Sequence, residues 1–162
     1  MKKETYIKMV EYINARRNLK WLIEKGNKIL TLSVYVFYPC FLAYIFTKGY
    51  EQALRALLVP GISFAAVSVF RNIVNCPRPY EVFDYPSVVY KDTKGKSFPS
   101  RHIFSCFVIG FTALQYVPAA GISITVIGIF LAAARVAGGI HFTKDVLGGV
   151  VFALVSVLIG FA

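Results

Sequence analysis

The chain contains two histidines, His102 and His141, and each stands at the start of an apolar run beside arginine. His141 is followed at i+4 by Asp145, the one carboxylate after Asp92. A carboxylate at that spacing can hold one ring nitrogen protonated and leave the other free as nucleophile or base. Three polar stretches carry this chemistry: "RNIVNCPRP" with Arg71 and Arg78, "PSRH" at residues 99–102, and "RVAGGIHFTKD" with Arg135, His141 and Asp145. Arg71, Arg78, Arg101 and Arg135 offer rigid guanidinium forks that suit phosphate oxygens. Crowded without carboxylates, they would repel one another unless an anion sat between them. Ser100, after proline and before an apolar run, reads as a helix N-cap, so free backbone N–H groups face the same place.

Together these residues predict phosphoryl transfer: an anion held by arginines and a helix N-terminus, one histidine attacking, the other protonating the leaving oxygen. This chemistry requires no metal. A competing arrangement is an iron site built from His102, His141 and Asp145, which four surrounding arginines oppose. Blander roles also stand beside the catalytic one. Arginines at a membrane face can snorkel to head groups, and a histidine can be a satisfied structural residue.

The elements that must position these residues are membrane helices. Of the 162 residues, 57% are hydrophobic and 16% charged, whereas a soluble domain carries about 25% charged residues and about 45–50% apolar ones. A net charge of +10 suits nucleic acid, anionic lipid or a phosphorylated substrate. Nucleic acid is excluded, because the basic residues alternate with spans that water would not tolerate. Cys40, Cys76 and Cys106 are scattered, with neither disulfide nor zinc spacing. The first apolar run begins near Ile29 with no cleavage site behind it, and reads as an uncleaved anchor.

Five apolar spans, roughly 29–46, 53–70, 102–117, 119–137 and 146–162, predict an all-α integral membrane bundle. Pro39 and Pro60 lie inside spans and are expected to kink them. Residues 1–28 carry eight of the eighteen lysines and arginines, with Tyr6, Met9, Val10 and Ile13 at helical spacing. An amphipathic helix on an anionic membrane surface is the expected form. The chain thus reads as one domain, 1–162: a basic segment to residue 28, then a bundle with active-site loops over 29–162. An even number of spans separates the polar stretches, so all three share one membrane face.

Three blocks in this order on a small multi-span chain resemble the type 2 phosphatidic acid phosphatase superfamily of membrane lipid phosphatases. Its blocks read Lys-x6-Arg-Pro, Pro-Ser-Gly-His and Ser-Arg-x5-His-x3-Asp. The resemblance implies that His141 attacks phosphorus to form a phosphohistidine, with Asp145 orienting it and His102 as the general acid. It implies that Arg71, Arg78, Ser100 and Arg135 hold the phosphate, with the backbone around Arg101. It further implies that no metal or cofactor takes part and that vanadate inhibits. Three positions depart: Arg71 stands for lysine, Ala134 for serine and Arg101 for glycine. The last adds a phosphate contact or restricts which head group enters. Soluble vanadium haloperoxidases share these blocks, but five apolar spans argue against that branch.

The expected substrate is a lipid phosphate such as phosphatidic acid, phosphatidylglycerophosphate or a polyprenyl diphosphate. A catalytically silent anion-binding scaffold and a phosphatase of water-soluble esters are the alternatives. Sixteen of the eighteen lysines and arginines fall on the active-site face, with Lys48 and Arg55 alone opposite. This places the site in the cytoplasm. The resemblance pulls the other way, because many bacterial relatives work on the outer face.

Overall fold

Every apolar span becomes a helix, and most helices run past the apolar residues that announced them. A computed structural model describes all 162 residues as seven helices without a strand. They are α1 (Lys3–Asn14), α2 (Arg17–Phe46), α3 (Tyr50–Val74), α4 (Pro79–Val82), α5 (Arg101–Leu114), α6 (Pro118–Ala137) and α7 (Thr143–Phe161). Four stretches are long and apolar enough to cross a membrane: α2, the run Tyr50–Val82 (which contains α3), α6 and α7. The fifth, α5, has only 14 residues, of which nine are buried. It is the centre of the bundle and packs chiefly against α6 and α7. The outer faces present Ile62, Ile73, Phe130 and Ile159 to the surroundings. Hydrocarbon satisfies such surfaces, and helices satisfy their own backbone groups within it. The protein is a multi-pass membrane bundle.

The boundary expected at residue 28 does not interrupt the backbone. α2 runs unbroken from Arg17 to Phe46. Residues 17–28 are mostly good helix formers, so the change in polarity there is a change of solvent and not of conformation. Likewise α2 and α3 continue through Pro39 and Pro60. α1 is amphipathic, and its apolar face is covered by the protein itself. Tyr6, Val10 and Ile13 are buried in a cluster with Ile23, Phe83 and Val88. Trp21 and Leu22 of α2 stay exposed nearby.

Candidate functional site

The three polar stretches meet at one end of the bundle, as the span count requires. Arg71 lies one turn before the end of α3, where Asn75 turns the chain in a left-handed conformation (φ 43°). Its guanidinium donates to the carbonyls of Lys96 and Pro99, and at 3.4 Å to that of Ser97. Arg71 therefore straps down the segment that leads into α5. Arg78, the N-cap residue of α4, donates from Nε to the Gly95 carbonyl at 3.0 Å. Its Nη1 donates to the Ile140 carbonyl at 3.4 Å and lies 3.5 Å from His141 Nε2. Glu81 closes the same loop by accepting from the backbone N–H groups of Arg78 and Gly95, at 2.8 and 2.9 Å.

His141 sits in the turn between α6 and α7 and is 2% exposed. The i+4 relation to Asp145 is not one turn of a common helix. Asp145 is the third residue of α7 and reaches back, accepting from the Phe142 N–H at 2.9 Å through Oδ2. The same oxygen lies 3.5 Å from His141 Nδ1 and accepts from the Ser97 hydroxyl at 2.5 Å. Ser97 Oγ is in turn 3.3 Å from His141 Nδ1. Because Ser97 spends its proton on the carboxylate, its oxygen can only accept from the ring. Both partners of Nδ1 are then acceptors, so Nδ1 carries the proton and Nε2 has a free lone pair.

Burial pushes the His141 imidazole down to about 4; the Asp145 hydrogen bond opposes this, and Arg78 adds to it. The ring is neutral at pH 7, and its link to Asp145 is a hydrogen bond between a neutral donor and an anion.

His141 lines a cavity of about 270 Å³ without an apolar side chain in its wall. Five cations line it, Arg71, Arg78, Lys91, Lys96 and Arg101, together with both histidines and no carboxylate. Lys91 is held below the ordinary lysine range by burial and then by Arg78 and Arg135. The Ser68 hydroxyl in the same wall is buried without a partner.

Not every expected ligand turns into this space. Ser100 is the N-cap residue of α5, but its buried hydroxyl makes no hydrogen bond. Its backbone N–H donates to the Asp145 carbonyl at 2.8 Å, tying α5 to the first turn of α7. The two helices approach here because Gly149 has no side chain; a Cβ would lie 2.9 Å from the Ser100 carbonyl oxygen. Arg135 is buried, donates to the Thr31 hydroxyl at 3.4 Å, and lines a different cavity beyond His102. Arg101 is exposed, with its guanidinium carbon 5.6 Å from the Phe64 ring centroid. His102, His141 and Asp145 do not gather as metal ligands, nor does any other group of three His, Cys, Asp or Glu residues. The competing iron arrangement is therefore not formed.

Ser97, Lys91 and Tyr6 escaped the sequence reading. Ser97 and Lys91 stand in the polar segment before α5, yet nothing local marks which of its side chains turn inward. Tyr6 stands far outside the three blocks. Its hydroxyl is 3.3 Å from the carbonyls of Tyr85 and Gly139, so α1 braces the turn that carries His141. Gly139 has φ +72°, and a Cβ there would lie 2.9 Å from that hydroxyl.

Residues 52–162 match the PAP2 superfamily. Among solved structures, the fold is similar to that of Aquifex aeolicus LpxE, with TM-score 0.73, 21% identity, and coverage of 98% of this chain and 93% of that one. It is also similar to the first transmembrane PAP2 type phosphatidylglycerolphosphate phosphatase from Bacillus subtilis. There the TM-score is 0.63 and the identity 22%, over 97% of this chain and 90% of that one. Comparison with curated protein sequences gives no match.

Proposed function

The chain belongs to the PAP2 superfamily, and from its site we propose that it hydrolyses a lipid phosphate monoester or diphosphate through a phosphohistidine. One observation carries this reading. A neutral, buried imidazole has its Nδ1 side engaged by Ser97 and Asp145 and lines a cavity of cations without a carboxylate. In this reading His141 Nε2 attacks phosphorus, an N–P bond forms and the P–O bond to the leaving group breaks. His102, in the wall of the same cavity, gives the leaving oxygen a proton. Water then cleaves the phosphohistidine and returns a proton to His102.

Arg78 and Arg101 hold the phosphate from the walls, and Arg71 does so while fixing the loop. Ser100 and Arg135 complete the set expected from the sequence, the first through the α5 N-terminus that it opens, the second from beyond His102. A lipid suits the surroundings. Arg101 and His102 also line a neighbouring cavity of about 200 Å³ that includes Val34, Tyr35, Phe64 and Leu131. The excess of lysine and arginine on the active-site face supports a cytoplasmic site next to anionic lipid.

The test is phosphate release from detergent-purified protein, with acid-labile phosphoenzyme trapped during turnover. Wild type should release phosphate and trap label on His141, and chelators should leave the rate unchanged. Full activity in His141→Ala overturns the nucleophile assignment. Abolition by chelator replaces this mechanism with a metal-assisted one.

A further inference from the structure

The hydroxyls carried by the spanning helices are satisfied in one way, with an exception on α3. Thr31 and Ser33 of α2, Ser123 and Thr125 of α6 and Ser156 of α7 each donate to the carbonyl one turn back, at 2.8 or 2.9 Å. That bond is the nearest one open to a helical hydroxyl away from water. Ser68 of α3 does not make it, and its Oγ is buried without any partner. Ser100 and Thr112 share that state, but of the three only Ser68 lines the His141 cavity. Ser68, Arg71 and Asn72 stand at i, i+3 and i+4, so one face of α3 enters the wall. One turn further back, Phe64 lies beside the Arg101 guanidinium and lines the smaller cavity with Val34 and Leu131. Ser68 therefore stands on α3 between the cation-lined space and the apolar one. It also fills a gap in the expected set. The Ser100 hydroxyl does not line this cavity, and Ala134 has none where the third block of the family carries serine. The other hydroxyl of the wall, Thr93, is exposed on the segment before α5.

We propose that Ser68 is a further phosphate ligand, its hydroxyl donating to a non-bridging oxygen of the phosphoryl group in the His141 cavity. The proposal rests on the reading of that cavity as the phosphate site. A serine has a single rotatable bond before its oxygen. Rotation about χ1 brings the covered hydroxyl to the anion while α3 stays in place. Five cations already crowd this wall and repel one another when no anion is bound. A hydroxyl adds a directed donor without adding a sixth positive charge. The transferring phosphoryl spreads its charge over three equatorial oxygens, so donors from different walls each find one to meet. Without the anion the hydroxyl is unsatisfied and costs stability, and binding removes that cost.

The experiment uses the full chain in detergent and reads orthovanadate inhibition, phosphate release and thermal unfolding together. Ser68→Ala should weaken orthovanadate inhibition and lower kcat/KM, each by about tenfold, the lower range of a hydrogen bond to a charged group. Its unfolding temperature without anion should equal or exceed that of wild type, because an unpartnered buried hydroxyl is gone. Ser68→Thr, which keeps the hydroxyl, should recover most of both losses. Thr112→Val removes an orphan hydroxyl outside this wall and should leave inhibition unchanged. A Ser68→Ala protein that is less stable yet inhibited like wild type overturns the proposal, and so does one unchanged in every measurement. Equal loss of inhibition in Thr112→Val also overturns it, since packing alone would then account for the effect. If wild type releases no phosphate, the phosphatase reading fails by itself, and Ser68 is tested by thermal stabilisation with orthophosphate. Ser68→Ala should then lose most of that stabilisation. Stabilisation equal to wild type, or none in either protein, overturns the ligand.

Discussion

His141 and His102 lie on the same cavity in opposite kinds of environment. His141 is buried, with its Nδ1 engaged by Ser97 and Asp145 and Arg78 3.5 Å from its Nε2. His102 is half-buried, makes no hydrogen bond, and borders three cavities at this end of the bundle. A nucleophile must be in place before substrate arrives, because misplacement of the attacking atom costs rate directly. A proton donor needs a partner only when the leaving oxygen is there. One histidine is thus positioned by the protein and the other by the substrate.

The largest effect that could break this contrast is loss of either ring. His141→Ala should lower kcat by about 10³-fold or more on every substrate, since no other side chain of this cavity wall is oriented by a carboxylate as His141 is. His102→Ala should cost about 10²–10⁴-fold on a monoester, the usual contribution of a general acid. On a diphosphate the loss should be smaller, because its leaving group needs no proton. Phosphate release from matched mono- and diphosphates measures both. Equal losses for the two variants on both substrates would remove the distinction.

The titration of His141 sharpens the same contrast. In His102→Gln only one histidine remains, and its ring can be followed by NMR without ambiguity. Burial pushes His141 down to about 4, so the ring should stay neutral as pH falls past 6.5 and protonate only near 4. Because the protonated ring has no lone pair to attack with, the His141 contribution to the acid limb of activity should appear near pH 4. A midpoint near 6.5 would describe a solvated ring, contrary to the enclosed turn seen here.

Next in size is Ser97. Its hydroxyl bridges the carboxylate and the ring, and the Asp145–Nδ1 contact alone is 3.5 Å. Ser97→Ala should lower kcat about 10–100-fold, the range of a hydrogen bond to a charged group, with KM little changed. Ser97→Thr, which keeps the hydroxyl, should recover part of the rate. A merely structural serine would instead move thermal stability and leave the kcat against KM split unaffected.

These residues also show what could be read before folding. Helical class and the convergence of the three blocks were legible, because long apolar runs permit one spanning geometry and span parity decides which loops meet. The pair His141 and Asp145 was legible from spacing, although a turn and a helix start join them instead of one helix face. Ser97 was not, because its partner lies 48 residues away and only the packing of α5 on α7 brings them together. The surroundings of Arg135 were not legible, for the same reason. Its position in the third block predicts the His141 cavity, whereas its guanidinium lies beyond His102 against Thr31 of α2. Residues 1–28 predict an amphipathic helix, but hydrophobic spacing cannot say whether lipid or protein covers its apolar face.

That last question yields the smallest effect. Tyr6 is wholly buried, and its hydroxyl touches the carbonyl of Gly139, two residues before His141. Both contacts of this hydroxyl are long, at 3.3 Å, and link neutral groups. Tyr6→Phe keeps the ring in its cluster and removes only these bonds, so it should cost about 0.5–1.5 kcal/mol. If α1 only anchors the chain, that loss appears in thermal stability and kcat is unchanged. If α1 braces the nucleophile, part of it appears as a fall in kcat of up to about tenfold at constant KM. Tyr6→Ala would open a cavity costing about 3–5 kcal/mol and confuse the two outcomes. The conservative variant is therefore the decisive one, and a kcat effect would extend the rigid surroundings of His141 into α1, where His102 has no counterpart.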